Sequence, residues 1–502
     1  MPVDDAIGRH LRVAVPPGFG LSDVDGLDAV DEPEAEDHLR TDLWDTEART
    51  LAAWGHLLLA HRSVDGTARG WTLELAPGPG AGAVHRVLGL AEPTQTPPRP
   101  AVDVVRSLIG RQRLVRIASV DTVRRRHRIR HLASGVTVGI DDDAVTPSVA
   151  GAATASFRSI TVEVPDAAVG LIDELARSLR RAGAGRLDPL QSMLRELNGP
   201  TPVRPFGAGV VRPRRAGDLV ASAIAVGTGQ LLLCDPLLRL DGDPESVHRA
   251  RVATRRLRSD LKTLGDLLDP FRVEGLRREL AWFGRVLGAV RTCDVAASTL
   301  DHHAQRIVGI DPGSVEVLQR RLDHERSLSC AVLRDVMRSG RYQGLVADLI
   351  RLTDEPPLRS GRVAVLPAKR VGRAVATAAF AVLERDVRRL SAEPAIAELH
   401  ELRKTAKRAR YAAELVAPLA KGRTMQLARA LADLQDRLGE HVDDADLLTW
   451  LEALPLGELD GVVAFDAGRV AERLSRSATG SSGRWHGAWR AAKKAKDRSR
   501  LA

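Results

Sequence analysis

The stretch HRARVATRRLRSDLK, from His248 to Lys262, is the most informative part of this 502-residue chain. On a helix with 100° per residue, its basic side chains lie on the side of His248 and its apolar side chains lie opposite. The stretch therefore predicts an amphipathic helix with a cationic stripe. The stripe consists of His248, Arg251, Arg255, Arg258 and Lys262, and the apolar side of Ala250, Ala253, Leu257, Leu261 and Leu264.

The same pattern recurs 152 positions later, in HELRKTAKRARYAAE from His400 to Glu414. Both copies follow H-x2-R-x3-[KR]-R-x-R. Like charges four residues apart destabilise an isolated helix, and solvation alone does not require the same spacing twice. A polyanion between the two stripes would remove the repulsion and accept hydrogen bonds from the arginines. The second stripe consists of His400, Arg403, Lys407 and Arg410, and its apolar side of Leu402, Ala406, Ala409, Ala413 and Val416.

Charge and composition restrict the classes of partner. Residues 1–200 carry 23 basic and 27 acidic side chains, and the remainder carries 51 and 38, so an anionic partner is expected in the second part. Aromatic residues make up 3% of the chain, which disfavours nucleic acid because few side chains can stack on bases. The three cysteines form no CxxC pair and indicate a reduced, cytoplasmic protein. No membrane segment or signal peptide is expected.

Residues 1–195 are predicted to form a strand-rich domain, because short runs with β-branched residues alternate with turn signals. Residues 196–215, rich in Pro, Gly and Arg, are predicted to be a linker. The remaining expectations for the first domain are a short helix or turn over 42–55, a helix over 166–182, and loops at 76–82 and 91–100. The predicted strands are 11–15, 56–60, 71–75, 111–120, 127–132, 135–140 and 159–164.

Residues 216–498 are predicted to form an all-helical domain built from two repeats, at about 216–350 and 360–498. Asp243-Pro244 and Glu393-Pro394 are typical helix starts, one before each stripe. A helical segment containing Leu-Gly follows each copy, at 282–295 and 434–447. A further amphipathic helix within 360–390 carries Lys369, Arg370 and Arg373.

The duplicated signatures VHRARVATRRLR and LHELRKTAKRAR, with their trailing Leu-Gly motifs, resemble the CHAD family, named for conserved histidines in an α-helical domain. The resemblance implies two four-helix halves related by a pseudo-twofold axis around a basic groove. It also implies binding of inorganic polyphosphate and association with polyphosphate granules in a bacterial cytoplasm. No cofactor is expected, and no metal either, because HELRK at 400–404 lacks the second histidine of H-E-x-x-H and an arginine-lined face repels divalent cations. Carried over by position, the ligands are His248, Arg251, Arg255, Arg256, Arg258, His400, Arg403, Lys404, Lys407, Arg408 and Arg410. Lys262, Lys369, Arg370 and Arg373 complete the predicted binding set.

Residues 1–195 more faintly resemble the CYTH, or triphosphate-tunnel, domain. That fold is a closed eight-stranded antiparallel barrel, and its active members convert triphosphates with a metal held by carboxylates. Its traces here are Asp45-Thr46, Trp71 to Leu75, RRRHRIR at 124–130, Asp141 and Glu163. The first strand, RHLRVAVP, lacks the E-x-E-x-K pattern of the family. Other departures are Leu59 in place of an arginine, Glu74 in place of a lysine, and Thr161 in place of an acid.

These features predict a multidomain α+β protein with a degenerate, non-catalytic barrel followed by a helical polyphosphate-binding domain. Two alternatives stay open: a triphosphatase or adenylyl cyclase acting through the barrel, and nucleic-acid binding by the basic helices. The histidines His248 and His400 could be protonated beside bound phosphate, or neutral and orienting neighbouring arginines. A homo-oligomer is compatible with the sequence.

Overall fold

The structure is a computed structural model, and the chain divides into two compact units, Met1–Pro205 and Phe206–Ala502. The predicted linker, 196–215, lies outside the described residues except for its last three positions. The described residues are 7–29, 36–63, 67–76, 85–90, 94–149, 152–153, 155–164, 170–185, 213–240, 242–391, 394–419, 422–438, 442–479 and 485–499.

Among its described residues, the first unit consists of antiparallel strands and three short α-helices. The strands are β1 (Ile7–Val15), β2 (Leu27–Ala29), β3 (Asp37–Thr46), β4 (Leu57–Ser63), β5 (Ala68–Leu75), β6 (His85–Leu90), β7 (Leu114–His131), β8 (Thr137–Val149), β9 (Ala152–Ala153) and β10 (Phe157–Val164). The helices are α1 (Thr50–Trp54), α2 (Arg99–Ile109) and α3 (Ile172–Arg181).

Eight of these strands form a closed ring. They are hydrogen-bonded in the order β7, β3, β4, β5, β6, β1, β10 and β8, and β8 pairs back with β7. Because every one of these pairings is antiparallel, the predicted eight-stranded antiparallel barrel is confirmed.

Three local predictions for this unit were incomplete. The two strands predicted at 111–120 and 127–132 are one continuous strand, β7, because the basic run between them alternates between the two faces without a turn. Residues 42–46 belong to β3, so the turn or helix predicted over 42–55 is correct only for α1. Helix α2 begins inside the loop predicted at 91–100.

The two faces of the barrel wall have different chemistry. Leu11 and Val13 of β1 belong to a buried apolar cluster that includes Leu175 and Leu179 of α3. An eight-stranded ring has room inside only for side chains, so α3 covers the outer face. The alternate residues of β1, His10 and Arg12, therefore face the inside of the barrel.

The second unit consists of helices. They are α4 (Ala216–Leu240), α5 (Pro244–Thr263), α6 (Pro270–Ala304), α7 (Pro312–Arg338), α8 (Gly340–Asp354), α9 (Gly361–Ala364), α10 (Ala368–Arg389), α11 (Ile396–Val416), α12 (Arg423–Arg437), α13 (Val442–Glu452), α14 (Gly461–Thr479) and α15 (Trp485–Ser499).

The helical unit is built from two similar halves. Helices α4, α5 and α6 pack consecutively, and α10, α11 and α12 repeat this packing. Equivalent helices also meet across the halves, because α5 packs against α11 and α4 against α10. These contacts are what a pseudo-twofold relation requires. The halves differ in one respect: α6 is a single helix of 35 residues, whereas its counterpart is divided into α12 and α13.

The starts of the two stripe-bearing helices were predicted with different success. Asp243 caps α5 by accepting a hydrogen bond from the Ser246 backbone N–H at 2.8 Å, as expected. The predicted start of α11 at Glu393-Pro394 is wrong by two residues. Its cap is Ala395, whose N–H donates to the Glu398 carboxylate at 2.9 Å, and Glu393 itself lies outside the described residues.

Helix α4 has the length and mean hydropathy, 1.5, of a membrane-spanning segment, which the sequence analysis did not anticipate. Of its most apolar window, 56% is buried inside the protein. A Cβ at Gly227 would lie 2.5 Å from Leu257 Cγ, so glycine allows α4 to approach α5 closely. Near its C-terminal end, Asp235 accepts a hydrogen bond from Tyr342 at 2.6 Å. These contacts are those of a core helix.

Candidate anion-binding site

The apolar sides of α5 and α11 hold both cationic stripes at the surface of the helical unit. Ala250, Ala253 and Leu257 of α5 are at most 1% exposed, and Leu402 and Ala406 of α11 are at most 2% exposed. Because side chains three or four positions apart share a helix face, burial of one face turns the opposite face outward. The amphipathic pattern predicted for both helices is confirmed.

The two stripes converge. Burial, followed by the charges of Arg291 and Arg403, lowers the pKa of Arg251. Burial, then Arg251 and Arg403, likewise lowers the pKa of Arg255. Residue 403 belongs to the second stripe, so cations from both repeats lie close enough to disfavour one another's charge. We call the surface between these stripes the cationic groove.

Cations of the two repeats also lie close together at the end of the cationic groove formed by Lys262 and Arg408. The charge of Arg408 is the first cause of the lowered pKa of Lys262, ahead of burial. Both side chains line a cavity of about 520 Å³ whose other wall is formed by Val and Ala side chains of α10. Lys262 and Arg408 make no ion pair within the described part of the chain.

Helix α6 adds three arginines that the sequence analysis did not assign to the site. Burial and then Arg291 lower the pKa of His248. Burial, then Arg277 and Arg285, lower the pKa of Arg258. These arginines were not assigned to the site because α6 carries no histidine-led signature of the kind that marks α5 and α11.

Carboxylates partly compensate the histidine end of the cationic groove. Asp443 and Asp446 of α13 interact favourably with Arg251. Burial and Asp443 raise the pKa of Asp446, whereas Arg251 and His400 oppose this. The position after the Leu-Gly motif that Asp443 occupies in the second repeat is held in the first by Thr292, whose hydroxyl donates to the Gly288 carbonyl.

Three residues of the predicted binding set are engaged in ion pairs. Arg256 Nη1 lies 3.1 Å from Glu414 Oε2, and Arg410 Nε lies 2.8 Å from the other oxygen of the same carboxylate. Lys404 pairs with Glu401 at 2.7 Å on the exposed side of α11. These cations are less available to a ligand than Arg251, Arg255 or Arg403.

The remaining predicted residues divide into two groups. His400 and Lys407 are partly buried on α11 among the stripe residues. Lys369, Arg370 and Arg373 are exposed on α10, the helix whose Val and Ala side chains line the cavity beside Lys262 and Arg408. The structure therefore brings together the two repeats of the signature, and the α10 cations stay a predicted part of the site.

Charged groups also line the inside of the barrel, where they pair with one another. Arg12 Nη2 lies 2.7 Å from Glu74 Oε1, and His10 lies 3.4 Å from the same carboxylate. Burial alone would raise the pKa of Glu74, but Arg12 and His10 hold it well below its usual range. Arg124 pairs with Asp143 at 2.8 Å and with Asp141 at 2.7 Å.

The barrel residues do not fit a metal or a triphosphate. Among the described residues, Glu74, Asp141 and Asp143 each contact an arginine, and Arg12 and Arg124 each contact a carboxylate. Leu59 lies in an apolar cluster with Leu43 and Val120, where the family pattern would place a positive charge. Among the described residues, no group of three His, Cys, Asp or Glu side chains has metal-binding geometry.

The comparisons with known proteins agree with this organisation. Residues 222–452 match the family model of the CHAD domain, so the helical unit contains a CHAD domain and that prediction is confirmed. This match associates the chain with polyphosphate in general terms. The chain is also 28% identical over 483 residues, 88% of each sequence, to MT2285, an uncharacterized protein of Mycobacterium tuberculosis.

Two solved structures are similar to separate parts of the chain. The CHAD domain of Ricinus communis is 23% identical with a TM-score of 0.48, and covers 58% of this chain and 96% of its own. A candidate adenylate cyclase of Bacillus halodurans is 15% identical with a TM-score of 0.24, and covers 36% of this chain and 95% of its own.

Proposed function

We propose that the cationic groove binds inorganic polyphosphate without chemical conversion. The convergence of Arg251 and Arg255 with Arg403 carries this proposal. These side chains disfavour one another's charge in the free protein, and a chain of phosphates would remove that repulsion and accept their hydrogen bonds. The Nε of Arg403 is buried and has no hydrogen-bond partner in the described structure, so a phosphate oxygen that reached it would supply the missing acceptor.

Polyphosphate suits this surface better than nucleic acid. The groove residues supply guanidinium and ammonium groups with little aromatic surface, and the whole chain has only seven Trp, two Tyr and seven Phe. Tyr411, the aromatic residue between the stripes, is only 4% exposed and interacts with Arg256 and Arg410. Polyphosphate needs only cations and hydrogen-bond donors, and the groove supplies both. The bases of a single-stranded nucleic acid would find few aromatic side chains on which to stack.

The barrel is proposed to be inactive. Hydrolysis or cyclisation of a triphosphate needs carboxylates for the metal and uncommitted cations for the phosphates. In the pairs Arg12–Glu74 and Arg124–Asp143 the carboxylates and the cations bind each other, so neither is free for a metal or a phosphate. The runner-up function, a triphosphatase or cyclase, would require these ion pairs to open.

A physiological consequence follows from the binding proposal. A protein that holds long polyphosphate would collect on cytoplasmic polyphosphate granules, where the polymer is concentrated. The helical unit alone supplies this property, so the barrel has no required part in targeting.

Retention on immobilised long-chain polyphosphate tests the proposal. The full chain is applied at moderate salt and eluted with free polyphosphate, or with DNA or RNA at equal phosphate concentration. Elution by polyphosphate alone supports the assignment, and equal elution by nucleic acid contradicts it. A parallel assay for phosphate release from tripolyphosphate with Mg²⁺ tests the inactive barrel, since turnover that Glu74→Gln abolishes would contradict that part.

A further inference from the structure

A second basic cavity lies in the helical unit, between the C-terminal end of α6 and helix α14. Its volume is about 650 Å³, within the range of small-molecule sites. None of its lining residues belongs to the cationic groove. Its wall carries four arginines, two histidines and one carboxylate. They are Arg306, Arg469, Arg473 and Arg476, His302 and His303, and Glu472.

Two of the four arginines already have carboxylate partners. Arg469 Nη1 lies 3.0 Å from Asp466 Oδ1, and Arg476 Nε lies 2.7 Å from Glu472 Oε1. Arg306 and Arg473 have no ion pair in the part of the chain that the structure describes. The cavity therefore presents two guanidinium charges that no carboxylate compensates.

Buried nitrogen atoms on the cavity wall also have no partner. Arg473 Nε is buried without a hydrogen bond among the described residues, and so is Nδ1 of His303. His303 is 7% exposed, and its other nitrogen, Nε2, lies 3.0 Å from Asp444 Oδ1. Arg473 Nε always carries a proton, so its burial without an acceptor is unfavourable, and an oxyanion would supply that acceptor. Nδ1 of His303 would donate to the same oxyanion only with a second proton on the ring, since Nε2 faces the Asp444 carboxylate.

We propose that this cavity binds a compact oxyanion with two or three negative charges, of the pyrophosphate class. Two uncompensated arginines match that charge, and the cavity is large enough for the ligand together with ordered water. The group could come from free pyrophosphate or from the diphosphate of a nucleotide. This site is independent of the cationic groove, and the inference goes beyond polyphosphate binding.

The test is isothermal titration of the full chain with pyrophosphate, and separately with a nucleoside diphosphate. Saturable binding at one site is expected. Arg306→Glu, which changes an exposed residue, and Arg473→Gln should each weaken the binding at least about tenfold, because each removes a charge-assisted hydrogen bond. The matched control is Arg320→Glu, an exposed arginine of α7 that pairs only loosely with Glu316 at 3.9 Å.

Groove variants separate this inference from the proposed function. Arg255→Glu combined with Lys407→Glu should leave pyrophosphate binding unchanged while removing retention on long-chain polyphosphate. Loss of pyrophosphate binding in that variant, with no effect of Arg306→Glu, would place the small anion in the groove and overturn the inference. Absence of saturable binding by either ligand would overturn it as well. Tighter binding of the nucleoside diphosphate would identify the ligand as a nucleotide.

Discussion

Arg256 of the first repeat and Glu414 of the second are joined by an ion pair of 3.1 Å across the contact between α5 and α11. The repeat offset of 152 residues makes Arg256 equivalent to Arg408 and Glu414 equivalent to Lys262. The equivalent contact on the other side is therefore between Arg408 and Lys262, two cations that disfavour each other's charge. Because Glu414 stands where the first repeat has Lys262, one of these two equivalent contacts is an ion pair and the other brings together two cations that an anion could bridge.

Lys262→Glu should recreate the ion pair at the open end. The new carboxylate would face Arg408 as Glu414 faces Arg256, so the free energy of unfolding of the helical unit should rise by about 0.5 kcal/mol, as expected for a partly exposed pair. Affinity for polyphosphate should fall, because Lys262 is lost and the new carboxylate neutralises the charge of Arg408. Denaturant unfolding followed by circular dichroism at 222 nm measures the first effect. Lys262→Gln is the control, and it should lower affinity without the same gain in stability.

The double variant Arg255→Glu with Lys407→Glu should abolish retention on polyphosphate and leave the fold intact. Both side chains lie on the stripe side of their helices, away from the buried apolar faces. Arg320→Glu with Arg338→Glu gives the same change of net charge on exposed positions of α7 and should retain binding. A large fall in the melting temperature of the groove variant, absent from the control, would show that the stripes stabilise the fold instead.

Polyphosphate affinity should decrease steeply with salt. Binding of a polyanion to several cations releases several counterions, so the logarithm of the association constant falls linearly with the logarithm of salt concentration. With about six phosphate contacts, the loss between 50 and 200 mM salt should be about a thousandfold. Titrations at four salt concentrations measure the slope. A slope near zero would mean that contacts other than ion pairs hold the ligand.

Polyphosphate binding should strengthen as the pH falls, and His248 should be responsible. In the free protein, burial and then Arg291 lower the pKa of this histidine below 6.5. Bound phosphate would raise it again, so binding takes up a proton. Affinity then rises as the pH falls through the pKa of the complex and levels off below the pKa of the free protein. Titrations from pH 5 to 8 should show this in the native chain and not in His248→Gln.

Glu74→Gln should destabilise the barrel strongly. Arg12 is buried against Glu74, and removal of the carboxylate leaves that guanidinium without its main partner, at a cost of about 3 kcal/mol or more. Hydrogen exchange of peptides from β1 and β5 measures the change in the barrel alone. Glu163→Gln, at an exposed position of β10, should have little effect. Equal protection in the two variants would show that the Arg12–Glu74 pair contributes little.

The Arg12–Glu74 ion pair should also make the stability of the barrel decrease in acid. The pKa of Glu74 is held well below its usual range, so its contribution is present above the pKa of the unfolded chain and is lost as the pH falls. The stability of the barrel should therefore fall with decreasing pH more steeply in the native chain than in Glu74→Gln, which hydrogen exchange of peptides from β1 and β5 at a series of pH values measures.

The stripes, the cap at Asp243 and the closed barrel were predictable because each depends on local periodicity or on a family pattern. The alternation of Leu11 and Val13 with His10 and Arg12 already separates the two faces of a strand. Contacts across the repeat were not predictable in the same way. The offset shows that residues 262 and 414 are equivalent, but only the crossing of α5 and α11 determines which side chain each one meets.

The arginines of α6 and the basic cavity beside α14 were missed for a related reason. Arg277, Arg285 and Arg291 carry no histidine-led signature, and their role depends on how α6 packs against α5. The cavity combines His302 and Arg306 with Arg473, more than 160 positions away in the sequence. The spacing of residues within one helix does not predict which distant helix packs against it.

The Arg12–Glu74 pair also restricts how the barrel can change over evolution. Reversal of either charge alone would place two like charges in contact inside a closed ring, which is strongly unfavourable. The two positions must therefore exchange together or through a neutral intermediate. Homologous chains should show both charges in the present orientation or both inverted, and rarely a mixture of the two.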